Sequence, residues 1–192
     1  GTDPDKVGQP ARAALRGLAD GWVAGVIKHI PGHGRSTADS HLELPRVTAG
    51  DNELASDFAA FVPVRHAPMA MTAHIAYDSF DAERAATVSP YMIEEVIRGR
   101  IGFDGLLMTD DLGMKALGGT LTDRANASIE AGCDMLLHCS GFLKDPADIL
   151  AEMTEVASAA PELSGKPLSR ASAAEAAAEV GKPFDAEAGW ER

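Results

Sequence analysis

The sequence contains four short apolar runs, and a polar or charged residue follows each of them. The runs cover residues 23–27, 69–73, 106–108 and 135–137. Continuous apolar runs of this kind are typical of strands that are buried on both faces, as they are in parallel sheets. The four runs therefore predict four strands of one parallel sheet.

The segments between the runs carry helix signals. Acidic or hydroxyl residues precede proline at three helix starts, Asp3-Pro4, Ser89-Pro90 and Asp145-Pro146, as N-caps do. Apolar residues then recur at helical spacing, for example at Met92, Ile93, Val96 and Ile97 before Gly102. An alanine-rich stretch over residues 169–180 predicts a last helix, ended by Pro183. Strands that alternate with helices in this way predict βαβ units.

A parallel sheet of this type either stays open, as a doubly wound sheet, or closes into a (β/α)8 barrel. The sequence contains neither G-x-G-x-x-G nor G-x-x-x-x-G-K-[ST], so no motif supports a nucleotide-binding doubly wound sheet. Polar residues at all four strand ends favour the barrel, whose active sites lie at the carboxyl ends of the strands. A barrel needs eight strands and about 250 residues. We therefore expect an α/β chain, residues 1–192 as one catalytic domain, that forms the C-terminal half of a TIM-type barrel, about four βα units preceded by one helix of the other half.

The charge balance excludes some partners. The chain has 29 acidic and 17 basic residues and a net charge of −12, which disfavours nucleic acid and anionic membrane surfaces. No stretch reaches the roughly 18–20 apolar residues of a membrane span. Cys133 and Cys139 lack zinc-site spacing, and free thiols fit a reducing, cytoplasmic compartment. We expect no nucleic acid and no membrane as partner.

Two clusters of polar residues follow strands. After the first strand, Lys28 and His29 lead through a Pro-Gly turn into a loop with Asp39 and His41. A carboxylate that meets one imidazole nitrogen fixes the tautomer and leaves the other nitrogen to move a proton. After the third strand stands Asp110-Asp111. A carboxylate at this place could attack a carbon, bind a metal or orient a partner.

The two clusters resemble those of one family. Residues 28–34, Lys-His-Ile-Pro-Gly-His-Gly, followed by Asp39-Ser40-His41, are similar to the K-H-F-P-G-H-G…D-S-H signature of the β-N-acetylglucosaminidases of glycoside hydrolase family 3, with Ile30 in place of Phe. Residues 109–114, Thr-Asp-Asp-Leu-Gly-Met, resemble the S/T-D-D-L-x-M nucleophile segment of the family. Residues 71–74 and 131–135 also match, so the resemblance covers nearly the whole chain.

The resemblance implies a role for each residue. Asp110 is the expected nucleophile of a retaining mechanism, His41 the general acid/base and Asp39 its partner, while Lys28 and His29 hold hydroxyls of N-acetylglucosamine. An arginine and an aspartate that also bind this sugar in the family correspond to positions upstream of Gly1. The implied substrate is terminal β-linked N-acetylglucosamine on muropeptides in cytoplasmic cell-wall recycling. No cofactor and no metal is implied.

Some residues have rival interpretations. Asp111 competes with Asp110, but neighbouring strand residues face opposite ways, so only one can point into the site. Glu43 is the carboxylate rival of His41, since most glycosidases use two carboxylates. We expect His33 to shape its loop. We expect a structural role for the remaining histidines, with His74 a further candidate for lining the site; they are His66, His74 and His138.

Two other functions remain open on the sequence. A metal-dependent barrel hydrolase could use side chains of both clusters as ligands. They would be His29, His33, Asp39, His41 and Asp110. Alternatively, a half-barrel is an inactive or complementation-dependent fragment that self-associates through its open sheet edges.

Overall fold

The computed structural model describes residues 3–139, 141 and 143–178. Helix α1 (Pro4–Asp20) leads into β1 (Val26–Ile30), and β2 (Arg46–Val47) and α2 (Asp51–Ala59) follow. The middle of the chain forms β3 (Met69–Thr72), β4 (Ala76–Tyr77), β5 (Asp81–Ala85) and a π-helix (Met92–Ile101). The last part contains β6 (Leu106–Asp111), α3 (Leu121–Ala131), β7 (Met135–Leu137), α4 (Pro146–Ala159) and α5 (Gly165–Ala177). Short 3₁₀ turns lie at Val62–Val64 and Ala86–Val88.

The main sheet has four parallel strands in the order β1-β3-β6-β7. Its register aligns Val26 with Met69, Met69 with Leu106, and Met108 with Met135. Each crossover places the next strand on the same side, whereas a doubly wound sheet reverses direction. The order is that of consecutive strands of a (β/α)8 barrel, and the prediction of a half-barrel α/β fold is confirmed.

A second, three-stranded sheet, β2-β4-β5, lies at the carboxyl end of the main sheet and was not predicted. Strand β2 runs parallel to β4, and β4 is antiparallel to β5. The amide of Ala76 also donates to the carbonyl oxygen of Pro45 at 3.0 Å. The small sheet therefore ties the loop after β1 to the loop after β3. Strands β2 and β4 have only two residues each, and β5 consists mostly of polar residues, so none of them leaves an apolar run in the sequence.

The first strand begins three residues later than predicted. Residues 23–25 form the connection from α1 instead, with Val23 51% exposed. Gly25 packs so closely on α1 that an added Cβ would lie 2.4 Å from Cδ2 of Leu15. The apolar run of residues 23–27 thus contains two different parts. Residues 23–25 belong to the connection from α1, and Val26 and Ile27 are the first two residues of β1.

Helix signals were more reliable. The Asp3 carboxylate accepts from the amides of Asp5 and Lys6 at 3.0 and 3.4 Å and caps α1. Gly102 ends the π-helix with φ 75°, a left-handed conformation that favours glycine. The last helix begins earlier than predicted, at Gly165, and its predicted end, residues 179–180 and Pro183, lies outside the described residues.

The main core lies between the sheet and the helices that cover it. The predicted stripe of Met92, Ile93, Val96 and Ile97 is at most 2% exposed and packs in the same cluster as Leu107 of β6. A smaller cluster beneath α3 and α4 contains Leu112, Leu117, Ala125 and Val156.

A buried ion network fastens α5 at the amino end of β6. The carboxylate of Asp134, 2% exposed, pairs with Arg98 at 2.8 Å and with Arg170 of α5 at 3.1 Å. It also accepts from the amide of Leu107 at 2.9 Å. One carboxylate therefore joins the π-helix, α5 and β6.

The sheet has two open edges within the described part of the chain, because β1 is paired with β3 alone and β7 with β6 alone. Both edges expose apolar side chains: Val26 is 37% and Met135 39% exposed. Among the described residues, no helix is both long enough and apolar enough to cross a membrane. Cys133 is buried, Cys139 is exposed, and both are free thiols.

Candidate active site

Strands β1 and β6 bring His29 and Asp110 together although β3 lies between them. Nε2 of His29 is 3.5 Å from Oδ2 of Asp110, and the two side chains are 27% and 15% exposed. Burial lowers the pKa of His29, and the nearby Asp110 charge only partly offsets this. His29 is therefore neutral at neutral pH, and its ring can donate or accept a hydrogen bond at the strand end.

Lys28 and His29 line a cavity of about 460 Å³. Its other walls come from the loop after β1, from α2 and from the start of α1, with Arg35, Phe61 and Tyr77 among them. Asp110 is not among the lining residues, so the cavity lies on the β1 side of the carboxylate. The Lys28–His29 and Ile30–Pro31 peptide bonds are cis.

Asp110 and Asp111 face different surroundings, as the alternation of strand residues predicts. Oδ1 of Asp110 accepts from the amide of Asp111 at 2.8 Å, while Oδ2 faces His29. Oδ1 of Asp111 accepts from the amides of Gly113 and Cys139 at 2.9 and 3.0 Å. The Asp111 carboxylate thus holds the loops after β6 and β7, and Asp110 is the one presented toward the β1 residues.

Asp39 and His41 form the pair that their spacing predicts. Oδ1 of Asp39 lies 2.8 Å from Nδ1 of His41 and 3.0 Å from its backbone nitrogen. The hydrogen bond from the His41 amide, together with that from its ring, lowers the pKa of Asp39. An ionised carboxylate only accepts, so the His41 proton is assigned to Nδ1, and Nε2 is the nitrogen that can take up or deliver a proton.

The loop that carries this pair is anchored at three points. The Tyr77 hydroxyl donates to the carbonyl oxygen of Gly32, and Arg35 pairs with Asp57 of α2. Near the end of the loop, the amide of Ala116 donates to the carbonyl oxygen of Ser40 at 3.2 Å. The sequence reasoning missed Arg35 and Tyr77. Arg35 directly follows the matched residues 28–34, which was the available signal; nothing in the sequence singled out Tyr77.

The other histidines occupy separate places. The ring of His33 stands edge-on to His29, with centroids 5.7 Å apart, and His66 is exposed. His138 contacts Glu152 at 2.9 Å. His74 is 1% exposed and hydrogen-bonds beneath the Asp110-Asp111 segment. It does not line the cavity beside His29.

His29 and Asp110 therefore meet at the carboxyl end of the sheet, and Lys28 lies next to His29 in the cavity wall. Asp39 and His41 form a pair on the loop that directly follows β1. Glu43 is exposed on the loop beyond His41. In the ranges that the structure describes, no three His, Cys, Asp or Glu side chains are arranged to hold a metal ion. The ligand set of the metal-hydrolase alternative is thus not assembled there.

The family of the chain follows from its match to a family model. Residues 1–168 match the glycosyl hydrolase family 3 N terminal domain. Proteins called beta-hexosaminidase from Alkalilimnicola ehrlichii and Tolumonas auensis are 44% and 39% identical over 144 and 145 residues, covering 71% and 72% of this chain. The chain therefore belongs to glycosyl hydrolase family 3. It spans only 40% and 43% of the length of these two relatives.

Solved structures show the same fold. NagZ from Neisseria gonorrhoeae, in complex with N-trifluoroacetyl-D-glucosamine, is 32% identical with a TM-score of 0.74, over 90% of this chain and 49% of that one. The beta-N-acetylglucosaminidase from Thermotoga maritima is 30% identical with a TM-score of 0.67, over 92% and 39%. Zn-bound CbsA from Thermotoga neapolitana is 33% identical with a TM-score of 0.69, over 81% and 34%.

Proposed function

We propose that the protein is an exo-acting, retaining β-N-acetylglucosaminidase that removes terminal β-linked N-acetylglucosamine through a covalent intermediate on Asp110. Because the chain spans about two fifths of its curated relatives, the activity is proposed for the product of the complete reading frame that contains these 192 residues, called the complete gene product below. The observation that carries the proposal is the Asp110 carboxylate at the end of β6, 3.5 Å from His29.

The first step forms a glycosyl ester. Oδ2 of Asp110 bonds to the anomeric carbon while the bond from that carbon to the leaving oxygen breaks. The amide of Asp111 donates to the other oxygen, Oδ1, at 2.8 Å, which fixes the plane of the carboxylate. Neutral His29 lies beside this position, and Lys28 precedes it in the cavity wall; in the proposal both side chains supply polar atoms to sugar hydroxyls.

His41 moves the proton. In its protonated form, Nε2 donates to the leaving oxygen as the glycosidic bond breaks; in the second step the same nitrogen takes a proton from the water that attacks the anomeric carbon and releases Asp110. The Asp39 carboxylate, 2.8 Å from Nδ1, stabilises the imidazolium form and holds the ring orientation. A histidine thus takes the role that a second carboxylate has in most glycosidases.

The substrate class and location complete the proposal. N-acetylglucosamine on muropeptides is the proposed natural substrate, and the cytoplasm is the proposed compartment. The free thiols Cys133 and Cys139 agree with a reducing compartment. The ligand named with the Neisseria gonorrhoeae structure, N-trifluoroacetyl-D-glucosamine, supports an N-acylated glucosamine as the sugar.

The proposal is tested with the complete gene product on paired aryl glycosides. Aryl β-N-acetylglucosaminide should be cleaved and aryl β-glucoside should not, and proton NMR should show the β-anomer as the first product. Muropeptides that carry a terminal N-acetylglucosamine should release it. An α-anomer as first product would contradict the retaining mechanism, and equal cleavage of both glycosides would contradict the sugar assignment.

We further propose that the 192-residue chain on its own associates with itself through the exposed edges of β1 and β7. The exposed side chains of Val26 and Met135 at these edges support this, since unpaired edges with apolar neighbours favour association. Sedimentation of the isolated chain should show species larger than a monomer. A sharp monomeric boundary with a cooperative melt would contradict this.

A further inference from the structure

His74 lies two residues after the end of β3, the strand that separates β1 from β6. Its side chain is 1% exposed. Nε2 is 3.1 Å from the backbone carbonyl oxygen of Asp111, and Nδ1 is 2.7 Å from Oγ1 of Thr87. Both ring nitrogens are therefore hydrogen-bonded in the interior, directly beneath the segment that carries Asp110.

The partners define the proton arrangement. A carbonyl oxygen only accepts, so Nε2 of His74 carries a proton and donates it to Asp111. Burial lowers the pKa of His74 despite opposing contributions from that hydrogen bond and from the Asp110 and Asp111 charges on β6; His29 on β1 lowers it further. The ring is therefore neutral, and Nδ1 accepts from the Thr87 hydroxyl.

The chain of hydrogen bonds extends one residue further. Oγ1 of Thr72 lies 2.8 Å from Oγ1 of Thr87. The Ala73 carbonyl oxygen is a second acceptor for the Thr87 hydroxyl, at 3.2 Å, but the unprotonated Nδ1 of His74 is closer, at 2.7 Å, and takes the proton. Thr72 then donates to Thr87. The donors then all point in one direction, from Thr72 through Thr87 and His74 to the carbonyl oxygen of Asp111. Such a chain specifies one tautomer and one orientation of the imidazole ring.

Asp111 is held at each of its polar groups. His74 binds its carbonyl oxygen, and the amides of Gly113 and Cys139 bind its carboxylate. The remaining group, the Asp111 amide, donates to Oδ1 of Asp110 at 2.8 Å. The orientation of the Asp110 carboxylate therefore depends on a backbone unit whose position His74 helps to fix.

We propose that His74 is a positioning residue for Asp110, acting through the Asp111 backbone with Thr87 and Thr72 as its support. The inference rests on the proposed role of Asp110 as nucleophile. A carboxylate that is displaced or rotated attacks more slowly, and misplacements of about 1 Å cost on the order of 100-fold in rate. Because the His74 side chain is 1% exposed and offers almost no surface to a substrate, substrate binding should change little when it is replaced.

The test measures how fast Asp110 is trapped in the complete gene product by a 5-fluoro N-acetylglucosaminyl fluoride, which keeps the acetamido group at C2 and has a good leaving group. The variants are His74→Leu, which cannot donate; His74→Gln, whose amide can donate to the Asp111 carbonyl; and Thr87→Val, which removes the hydroxyl that fixes the tautomer. Ser128→Ala is the matched control, since it removes another buried hydroxyl, bonded at 2.7 Å to the carbonyl oxygen of Arg124.

His74→Leu should lower the limiting trapping rate constant about 10- to 100-fold, with the half-saturating concentration within about threefold. Thr87→Val should show a smaller loss of about tenfold, and His74→Gln should recover most of the rate. Ser128→Ala should lower the melting temperature without changing the rate constant. ¹⁵N NMR of the histidines should show the Nε2–H tautomer for His74 in the unaltered protein.

Several results would overturn the proposal. One is an unchanged rate constant in His74→Leu and Thr87→Val, or in Thr87→Val alone if the leucine variant does not fold. Another is a His74→Leu variant in which the rate constant falls and the half-saturating concentration rises by the same factor, while His74→Gln recovers none of the rate. If the unaltered protein forms no adduct on Asp110, the proposed nucleophile fails and the positioning role fails with it; adduct formation in the unaltered protein separates the two cases.

Discussion

Nε2 of His29 lies 3.5 Å from Oδ2 of Asp110 across the width of the sheet, with β3 between their strands. The contact joins the two sequence segments that carry the family resemblance, residues 28–41 and 109–114. Parallel strands that curve in one direction bring their carboxyl ends together, as in a barrel. The site is thus a consequence of strand order as much as of the residues themselves.

Replacing His41 tests proton transfer. His41→Ala should slow cleavage of substrates with poor leaving groups by roughly 10²–10⁴-fold. The loss should be much smaller with an activated aryl leaving group, which departs with little protonation. The measurement is kcat/KM for the two substrate types. Asp39→Asn should show the same pattern in weaker form, because it removes the charge beside Nδ1.

Glu43 supplies the control for this experiment. It is exposed on the same loop, so Glu43→Gln should leave both rates close to those of the unaltered protein. Equal losses on both substrates in His41→Ala, or the leaving-group pattern in Glu43→Gln, would reject His41 as the acid.

The buried histidines should make stability depend on pH. Burial lowers the pKa of His29 and of His74, so below the usual histidine value of about 6.5 the unfolded chain binds more protons than the folded protein. The free energy of unfolding should therefore fall as the pH falls from 7 to 5. Denaturant titrations of the complete gene product across this range measure the slope.

His74→Gln should make the fall in the free energy of unfolding with falling pH shallower, because it removes one of the two buried imidazoles, the other being His29. His66→Gln is the matched control, since His66 is exposed, and it should leave the slope as it is. A slope that does not differ between the unaltered protein and His74→Gln would mean that His74 is not held neutral by the fold.

The ion network at the amino end of β6, which holds α5, should contribute more to the free energy of unfolding than a single helix cap does. Asp134→Ala leaves Arg98, whose side chain is 10% exposed, buried without its partner, and breaking such a pair costs about 3–5 kcal/mol. Thr120→Ala, which removes the N-cap of α3, should cost about 1 kcal/mol. Denaturant unfolding measures both. A smaller loss for Asp134→Ala than for Thr120→Ala would contradict the network's importance.

A chelator separates the glycosidase from the metal-hydrolase alternative. Since the described residues assemble no group of metal ligands, prolonged EDTA treatment followed by desalting should leave kcat/KM within about twofold, against the several kcal/mol that a catalytic metal supplies. Elemental analysis of the purified protein accompanies the assay. Loss of activity that zinc restores would favour the alternative.

Much of the fold could be predicted from the sequence, because short continuous apolar runs and proline-marked helix starts reflect local structure. The helix from Pro4 and the stripe from Met92 to Ile97 are examples. The small sheet was not readable, because a strand such as Arg46–Val47 is defined by its partners across the loop. The start of β1 was misplaced because Val23 is apolar but serves the connection from α1.

In the candidate site, too, some contacts could be predicted from the sequence and others could not. The Asp39–His41 contact follows from a two-residue spacing and could be predicted. The roles that the structure gives to Tyr77 and His74 depend on hydrogen bonds to Gly32 and Asp111, residues distant in sequence. Side-chain-to-backbone bonds of this kind leave no pattern in a single sequence.

In the proposed mechanism Asp110 forms the glycosyl ester, and trapping that ester is the direct test of this role. The complete gene product is treated with a 5-fluoro N-acetylglucosamine analogue, which keeps the acetamido group at C2, and is then digested and analysed by mass spectrometry. The account predicts the added mass on the peptide that contains residues 108–111, lost in Asp110→Ala and still obtainable in Asp111→Ala if that variant folds. Adduct on Asp111 or Glu43, or no adduct together with an inverted product, would contradict it.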